Sequence, residues 1–470
     1  MRSRLAVPVL ATLALAGLAG CNGGARPTAQ SATDGTPAAS SATASSLART
    51  LAQTPFQRSW DLQLPAAVER SWVLPELTGL VFFQVANTHS IYAVDSMSGN
   101  TRWVSPPLPS ALQQPAGASV YQSSYEKADE PVFDRRLWVI ADDILFCLDV
   151  ATGQLVWRYE LPFSPSTGPV AIGPDGNVRV FLGDHDSRLQ VVSWEPKRSF
   201  PYMAWQWNLG HTLNAQPTQY EELVYVTDHS GEINCFTLDR QRTWHYASGG
   251  AIHGSATPRR RALFVGNEDN TFLALNRLTG ERLGQLNLNG PIRRAPLVFN
   301  GEIDRVYVWV EGADAKVAGL YALTARSDTT TSPDANAIKR EIMRLGVAWR
   351  HPGTPSLVAS TPQHLFVKDA DSTVVQALSR ASGAVDWTWD LNEERAASKD
   401  KDAALALVTS YQDATDQSRT IYTVDGKGLV MAYRYFRYVP PSLEVASPMS
   451  KATPAAKAAP AAKDAAPVAK

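Results

Sequence analysis

The sequence predicts an all-β fold, an eight-bladed β-propeller of four-stranded antiparallel blades, and three observations predict it. A small residue inside a short apolar strand recurs at positions 93, 147, 191, 235, 274, 322, 377 and 432. In the clearest copies a Trp follows ten residues later, at 103, 157 and 387. Near the start of the body, Ser59-Trp60-Asp61-Leu62-Gln63-Leu64-Pro65 matches Val156-Trp157-Arg158-Tyr159-Glu160-Leu161-Pro162 inside the second unit. Self-similarity at such a period marks a repeat architecture, because a single unit cannot bury its own apolar face.

The units follow in order. Ile91-Tyr92-Ala93-Val94-Asp95 turns at Ser98-Gly99 and reaches Trp103, and Leu145-Phe146-Cys147-Leu148-Asp149 turns at Thr152-Gly153 and reaches Trp157. Weaker copies stand at Leu189-Gln190-Val191 and Asn234-Cys235-Phe236. Phe272-Leu273-Ala274-Leu275-Asn276 turns at Thr279-Gly280 but has Leu283-Gly284 where the Trp should be. Leu320-Tyr321-Ala322, then Val375-Gln376-Ala377-Leu378-Ser379 with Ser382-Gly383 and Trp387, and finally Val430-Met431-Ala432 complete the set. Prolines at 75, 131, 169, 217, 258, 296 and 362 are expected before the first strand of their units, where a missing N–H costs nothing. The eighth unit stops after Ala432-Tyr433-Arg434-Tyr435-Phe436 with no Trp strand to follow. The N-terminal Trp60 strand is therefore expected to complete the last blade, which removes the free sheet edge of an open array.

Composition agrees. Thirteen Trp, 30 Gly and 31 Pro in 470 residues suit many short strands and turns rather than long helices. A net charge of −1 gives no basic face for nucleic acid. Of the three Cys, Cys147 and Cys235 fill the small position of units 2 and 4, so they read as buried hydrophobes rather than a disulfide.

Residues 1–20 read as a signal peptide: Arg2 and Arg4 precede an apolar stretch from Leu5 to Leu18, too short for a typical spanning helix. Leu18-Ala19-Gly20-Cys21 resembles the lipobox of bacterial lipoproteins, which implies a lipidated Cys21 and a membrane attachment through acyl chains. Asn22, rather than Asp, favours the outer membrane facing the periplasm. Residues 21–54 are a flexible tether, 55–439 the propeller and 440–470 a disordered Ala/Pro/Lys tail.

Two groups of residues are candidate sites. Asp184-His185-Asp186, Asp228-His229, Glu268-Asp269 and Asp369 with Asp371 all fall between the second and third strands of their units. Carboxylate and imidazole together can hold a cation, but Asp, Asn and Gly are also what short hairpin turns require, and the turn reading is preferred; no metal is expected. His211, His253, Arg293 and Arg294 lie in the linkers into units 4, 5 and 6, which places them near the mouth of the axial channel, where an anionic ligand or acidic partner segment could dock. Insertions at about 109–130 (with Tyr121 and Tyr125), 392–404 and 326–345 are candidate contact surfaces, and Ile338–Leu345 is expected to form a short helix. No nucleophile–base arrangement, phosphate loop or zinc spacing stands out.

The recurring pattern Tyr-Ala-Leu-Asp-x-x-Thr-Gly-x-x-x-Trp resembles the repeat of the pyrroloquinoline-quinone-like propellers over roughly residues 56–438. That resemblance implies that Trp60, Trp103, Trp157, Trp205, Trp244, Trp349 and Trp387 dock between blades. One branch of the family consists of quinone-dependent alcohol dehydrogenases, which hold pyrroloquinoline quinone and calcium on the axis; many carry adjacent cysteines, which this chain lacks. A non-catalytic branch includes the propeller lipoprotein of the outer-membrane β-barrel assembly machinery, which shares a lipidated Cys and a polar tether. The expectation is a non-enzymatic protein-binding scaffold without cofactor, a monomer within a complex of envelope or outer-membrane proteins. The alternatives are a quinone-dependent oxidoreductase and a ligand- or glycan-sensing propeller.

Overall fold

The computed structural model describes residues 56–435 except 75–76, 78, 124–131, 174–177, 196–197, 199, 300–303, 313, 331–339, 371, 392–405 and 409–419. Cys21, the expected signal peptide, the tether and the tail fall outside these residues, as does the insertion at 392–404.

Every regular element among the described residues is a β-strand, and the strands form eight antiparallel sheets, the blades. In the first, the order from inside to outside is Val68–Trp72, Leu80–Val85, Ile91–Asp95 and Thr101–Val104. In the sixth, three strands (Arg305–Val310, Gly319–Thr330 and Arg340–Pro352) are joined on the inner side by the single bridge Leu297–Tyr307. In the eighth, Phe56–Gln63 is the outer strand beside Leu429–Tyr435, with Trp60 opposite Ala432. Trp60 Nε1 also donates to Ser96 O of the first blade at 3.1 Å, so one residue joins the last blade to the first. The ring is closed by its own N-terminal strand.

The small positions explain the register. Residues 93, 147, 191, 235, 274, 322, 377 and 432 are all fully buried. Seven of them face a Trp on the outer strand: Ala93 with Trp103, Cys147 with Trp157, Val191 with Trp205, Cys235 with Trp244, Ala322 with Trp349, Ala377 with Trp387 and Ala432 with Trp60. Ala274 faces Gly284. A register shift follows the small residue directly in the first seven blades, and such bulges increase the local twist. Cys147 and Cys235 are free thiols. Burial pushes the Cys235 thiol up to about 11 and the Cys147 thiol higher still, so both are inert small hydrophobes at neutral pH.

Trp60, Trp103, Trp205, Trp244 and Trp349 reach the hairpin turn of the following blade. Trp60, Trp103, Trp244 and Trp349 lie flat on Gly99, Gly153, Gly280 and Gly383, where an added Cβ would approach the ring to 2.5, 2.3, 2.6 and 2.5 Å. These glycines have φ between +71° and +74°, so both the turn and the ring demand Gly. The preceding acidic or amide residue builds the turn: Asp149 Oδ1 accepts from Ala151 N, Thr152 N and Thr152 Oγ1. Indole N–H groups then donate to turn carbonyls, Trp103 to Val150 O at 2.6 Å, Trp244 to Arg277 O at 3.1 Å and Trp349 to Arg380 O at 2.9 Å. Two seats differ: Trp157 packs edge-on against Trp138 with its Nε1 buried and unpaired, and Trp387 packs against Phe56 and Phe366.

Several expectations need correction. The segment expected as a helix from Ile338 is strand in its described part, Arg340–Pro352, paired with Gly319–Thr330. Its sequence alternates, with Met343 and Leu345 packed against the neighbouring blade and Arg344 exposed, which is a strand period and not a helical one. The stretch 109–130 is not simply a loop, because Gly117–Ser123, which includes Tyr121, is the innermost strand of the second blade; Tyr125 lies outside the described residues. Pro169 and Pro217 directly precede innermost strands and Pro258 closes one, but Pro362 follows the innermost strand Ser356–Ser360; Pro75 and Pro131 lie outside the described residues.

Candidate functional site

The linkers between blades and the turns between second and third strands emerge at the same end of the ring, and at blades 4 to 6 they interlock. Glu268, in the turn of the fifth blade, is the hub. His253 Nε2 lies 3.1 Å from its Oε1, and Arg293 Nε donates to the same oxygen at 2.7 Å. Arg293 also reaches Glu311 Oε2 at 3.3 Å, and Arg294 Nε lies 3.4 Å from Glu311 Oε1. His229 stacks edge-on to His253 with ring centroids 4.9 Å apart, and its Nδ1 is 3.2 Å from the Asn214 amide. The Arg293 hydrogen bond holds the Glu268 carboxyl below the usual range; loss of solvent opposes it, and the nearby His253 and the Arg293 charge add smaller lowering effects.

Three of the four linker residues singled out in the sequence therefore meet through acidic partners: His253 and Arg293 at Glu268, Arg293 and Arg294 at Glu311. His211 does not join them; it is exposed, and its neighbour Thr212 instead offers its carbonyl to His229 N. Glu311 and Asn214 were missed because nothing local marks them. Arg293 and Arg294 remain about 46% and 40% exposed, so this face can still exchange its internal pairs for an anionic partner.

Two of the other acidic turns use their carboxylates on themselves, and Asp371 of a third lies outside the described residues. Asp184 Oδ1 accepts from Arg188 N and its Oδ2 from Gln190 Nε2, while Asp228 Oδ1 accepts from Ser230 N, Ser230 Oγ and Glu232 N. Asp425 does the same for Lys427 N and Leu429 N. Among the described residues no group of three or more His, Cys, Asp or Glu is arranged to hold a metal ion. The two described cysteines sit singly in separate blade cores.

At the opposite end, two arginines staple neighbouring blades. Arg277 reaches Glu221 at 2.9 Å and Tyr225 Oη at 3.5 Å across the junction, over the Tyr220 ring. Arg380 repeats this with Tyr307 Oη at 3.2 Å and Thr361 O at 2.7 Å, 4.1 Å over the Phe299 ring. Both occupy the residue after the turn-building Asn276 or Ser379, a signal that would have been visible in an aligned repeat.

Comparison with known proteins agrees with this architecture. A family model described as "Outer membrane protein assembly factor BamB" matches residues 57–244. No curated protein matches the chain. Among solved structures, quinohemoprotein alcohol dehydrogenase from Comamonas testosteroni is similar at 14% identity over 83% of this chain and 77% of that one, with a TM-score of 0.52. BamB from Moraxella catarrhalis is matched at 16% identity over 82% of this chain and 98% of that one, with a TM-score of 0.37. At these identities the dehydrogenase likeness speaks for the fold alone. Over 57–244 the chain resembles the family described as outer membrane protein assembly factor BamB, and its propeller fold is similar to that of the Comamonas dehydrogenase.

Proposed function

We propose that this chain is a non-enzymatic cell-envelope lipoprotein, anchored through Cys21 to the outer membrane on its periplasmic side, that serves as a protein-binding scaffold in outer-membrane protein assembly. The observation that carries this reading is the family-model match over 57–244, whose printed description names an assembly factor. The arginine-bearing face over blades 4 to 6 supports it, because Arg293 and Arg294 are held by surface ion pairs worth at most about 1 kcal/mol each, which a partner's carboxylates can replace. The test is photocrosslinking in intact envelopes from position 269, exposed beside Glu268 on the same face. Capture of outer-membrane assembly proteins is expected, reduced about tenfold in the double variant Arg293→Glu, Arg294→Glu, a change of about 1.4 kcal/mol. Labelling with no protein captured would remove the scaffold reading.

A second reading, a quinone-dependent oxidoreductase, draws on the fold shared with the Comamonas dehydrogenase. Absorption spectroscopy of the full chain with pyrroloquinoline quinone and calcium separates the two: a bound quinone together with dye reduction would favour the enzyme.

A further inference from the structure

The inner end of the first blade borders a cavity of about 560 Å³, a volume typical of small-ligand sites. Its wall comes from Glu69, Arg70 and Trp72 on the innermost strand, from Leu112 and Gln114 in the linker to the second blade, and from Gln216 in the linker to the fourth. Because the first and fourth blades are not neighbours, the cavity opens towards the centre of the ring. We propose that this cavity is a binding site for a neutral saccharide. The inference is independent of the scaffold reading and involves none of the residues of the arginine face.

The chemistry of the wall selects the ligand class. Glu69 and Arg70 are adjacent and opposite in charge; Glu69 Oε2 is engaged by His89 Nδ1 at 2.8 Å, and Arg70 donates one N–H to Gln113 O at 3.1 Å. The site therefore offers no net charge to a phosphate, a carboxylate or a cation. It does offer hydrogen-bonding capacity that the protein leaves unused. Gln114, half-buried, has no hydrogen-bond partner among the described residues, and Gln216 spends its Nε2 on Pro169 O at 3.0 Å while its Oε1 stays unpaired among them. Two side-chain amides together supply donors and acceptors in both directions, which is what hydroxyl groups need. An apolar ligand would leave them unsatisfied at about 1–3 kcal/mol for each group. Trp72, partly exposed, adds apolar surface for the C–H face of a sugar ring, whose polarity complements an aromatic face. An extended peptide is also neutral and amide-rich, but a cavity walled from three separate segments suits a compact ligand better than a through-running strand.

The test uses the full chain with two probes, cellobiose and N,N′-diacetylchitobiose, followed by titration calorimetry and saturation-transfer NMR. At least one probe is expected to bind, with an affinity that falls about tenfold or more in Gln114→Ala and in Gln216→Ala, while the thermal unfolding of Gln114→Ala stays that of the parent. Failure of both probes to bind at about 10 mM, a dissociation constant unchanged in both variants, or displacement of the sugar by trialanine amide at equal concentration would each overturn the proposal.

Discussion

Two junctions of the ring do the same job with different parts. Between blades 1 and 2, Trp103 lies on Gly153, and its indole N–H bonds Val150 O at 2.6 Å. Between blades 5 and 6 the outer strand has Leu283-Gly284 in place of the Trp, and the third and fourth strands of the following blade run on as Gly319–Thr330 and Arg340–Pro352. The extension folds over the gap. Met343 and Leu345 join Leu283 and Leu286 in one apolar cluster, and a Cβ on Gly284 would stand only 2.4 Å from Met343 O. Arg261 and Glu341 add an ion pair at 3.5 Å across the same seam. The missing Trp and the inserted hairpin are thus one change seen at two places in the sequence. What the repeat conserves physically is a filled wedge between twisted sheets, and an indole is one of two fillings used here.

The largest effect is expected where the filling is a single side chain. Trp103→Ala should lower stability by about 3–5 kcal/mol, since it opens a cavity and leaves Val150 O without its donor. Urea unfolding followed by intrinsic fluorescence checks this; a loss below about 1 kcal/mol would mean that the turn, not the indole, holds that junction.

The second prediction reverses sign with context. Replacing 326–345 by a short Asp-x-x-Thr-Gly turn should cost about 2–4 kcal/mol by uncovering Leu283 and Leu286. Adding Gly284→Trp to that shortened chain should recover part of the loss, because the restored turn gives the indole a seat. In the full-length chain the same Gly284→Trp should destabilise, since the Met343 backbone already occupies the space. Urea midpoints of the three variants are the measurement, and equal signs in both contexts would break the equivalence of the two fillings.

Much of this was legible beforehand, for a reason visible in particular residues. The small position is fixed by backbone geometry at every blade and its Trp at seven of the eight, so Ala93, Cys147 and Ala432 declare themselves by phase alone, and so does the Trp60 strand that closes the ring. The hairpin at 326–345 was misread because its charged, mixed stretch carries a strand alternation only over Glu341 to Leu345, which makes sense only once Gly284 is seen beneath it. The linker cluster was half-legible: His253, Arg293 and Arg294 share a phase, whereas Glu311 stands just past the second strand of the sixth blade, where no motif marks it as their partner. Arg277 and Arg380 stayed hidden because a lone cation beside a turn looks like ordinary surface until the preceding blade's tyrosine stands against it.

The smallest effect separates the two ends of one strand. Arg340–Pro352 carries the hairpin filling at Met343 and Leu345 and an indole filling at Trp349, which sits on Gly383. His351, two residues beyond Trp349 and on the same side of that strand, is nearly buried. Burial holds its imidazole below the ordinary value of 6.5, and the Arg350 charge acts in the same direction, while the Asp369 charge and a hydrogen bond with Gln376 oppose them only in part. A histidine with a lowered folded pKa favours the neutral form in the fold, so the unfolded chain takes up its proton first as the pH drops. Its stabilising contribution is complete above about pH 6.5 and is lost as the pH falls through the lower folded value. Amide exchange should therefore quicken around Trp349 and Gly383 as the pH falls below about 6.5 while Met343 and Leu345 keep their protection, and His351→Gln should flatten that response. If acid loosened both ends equally, the strand would act as one rigid lever, and the two fillings would not be independent locks.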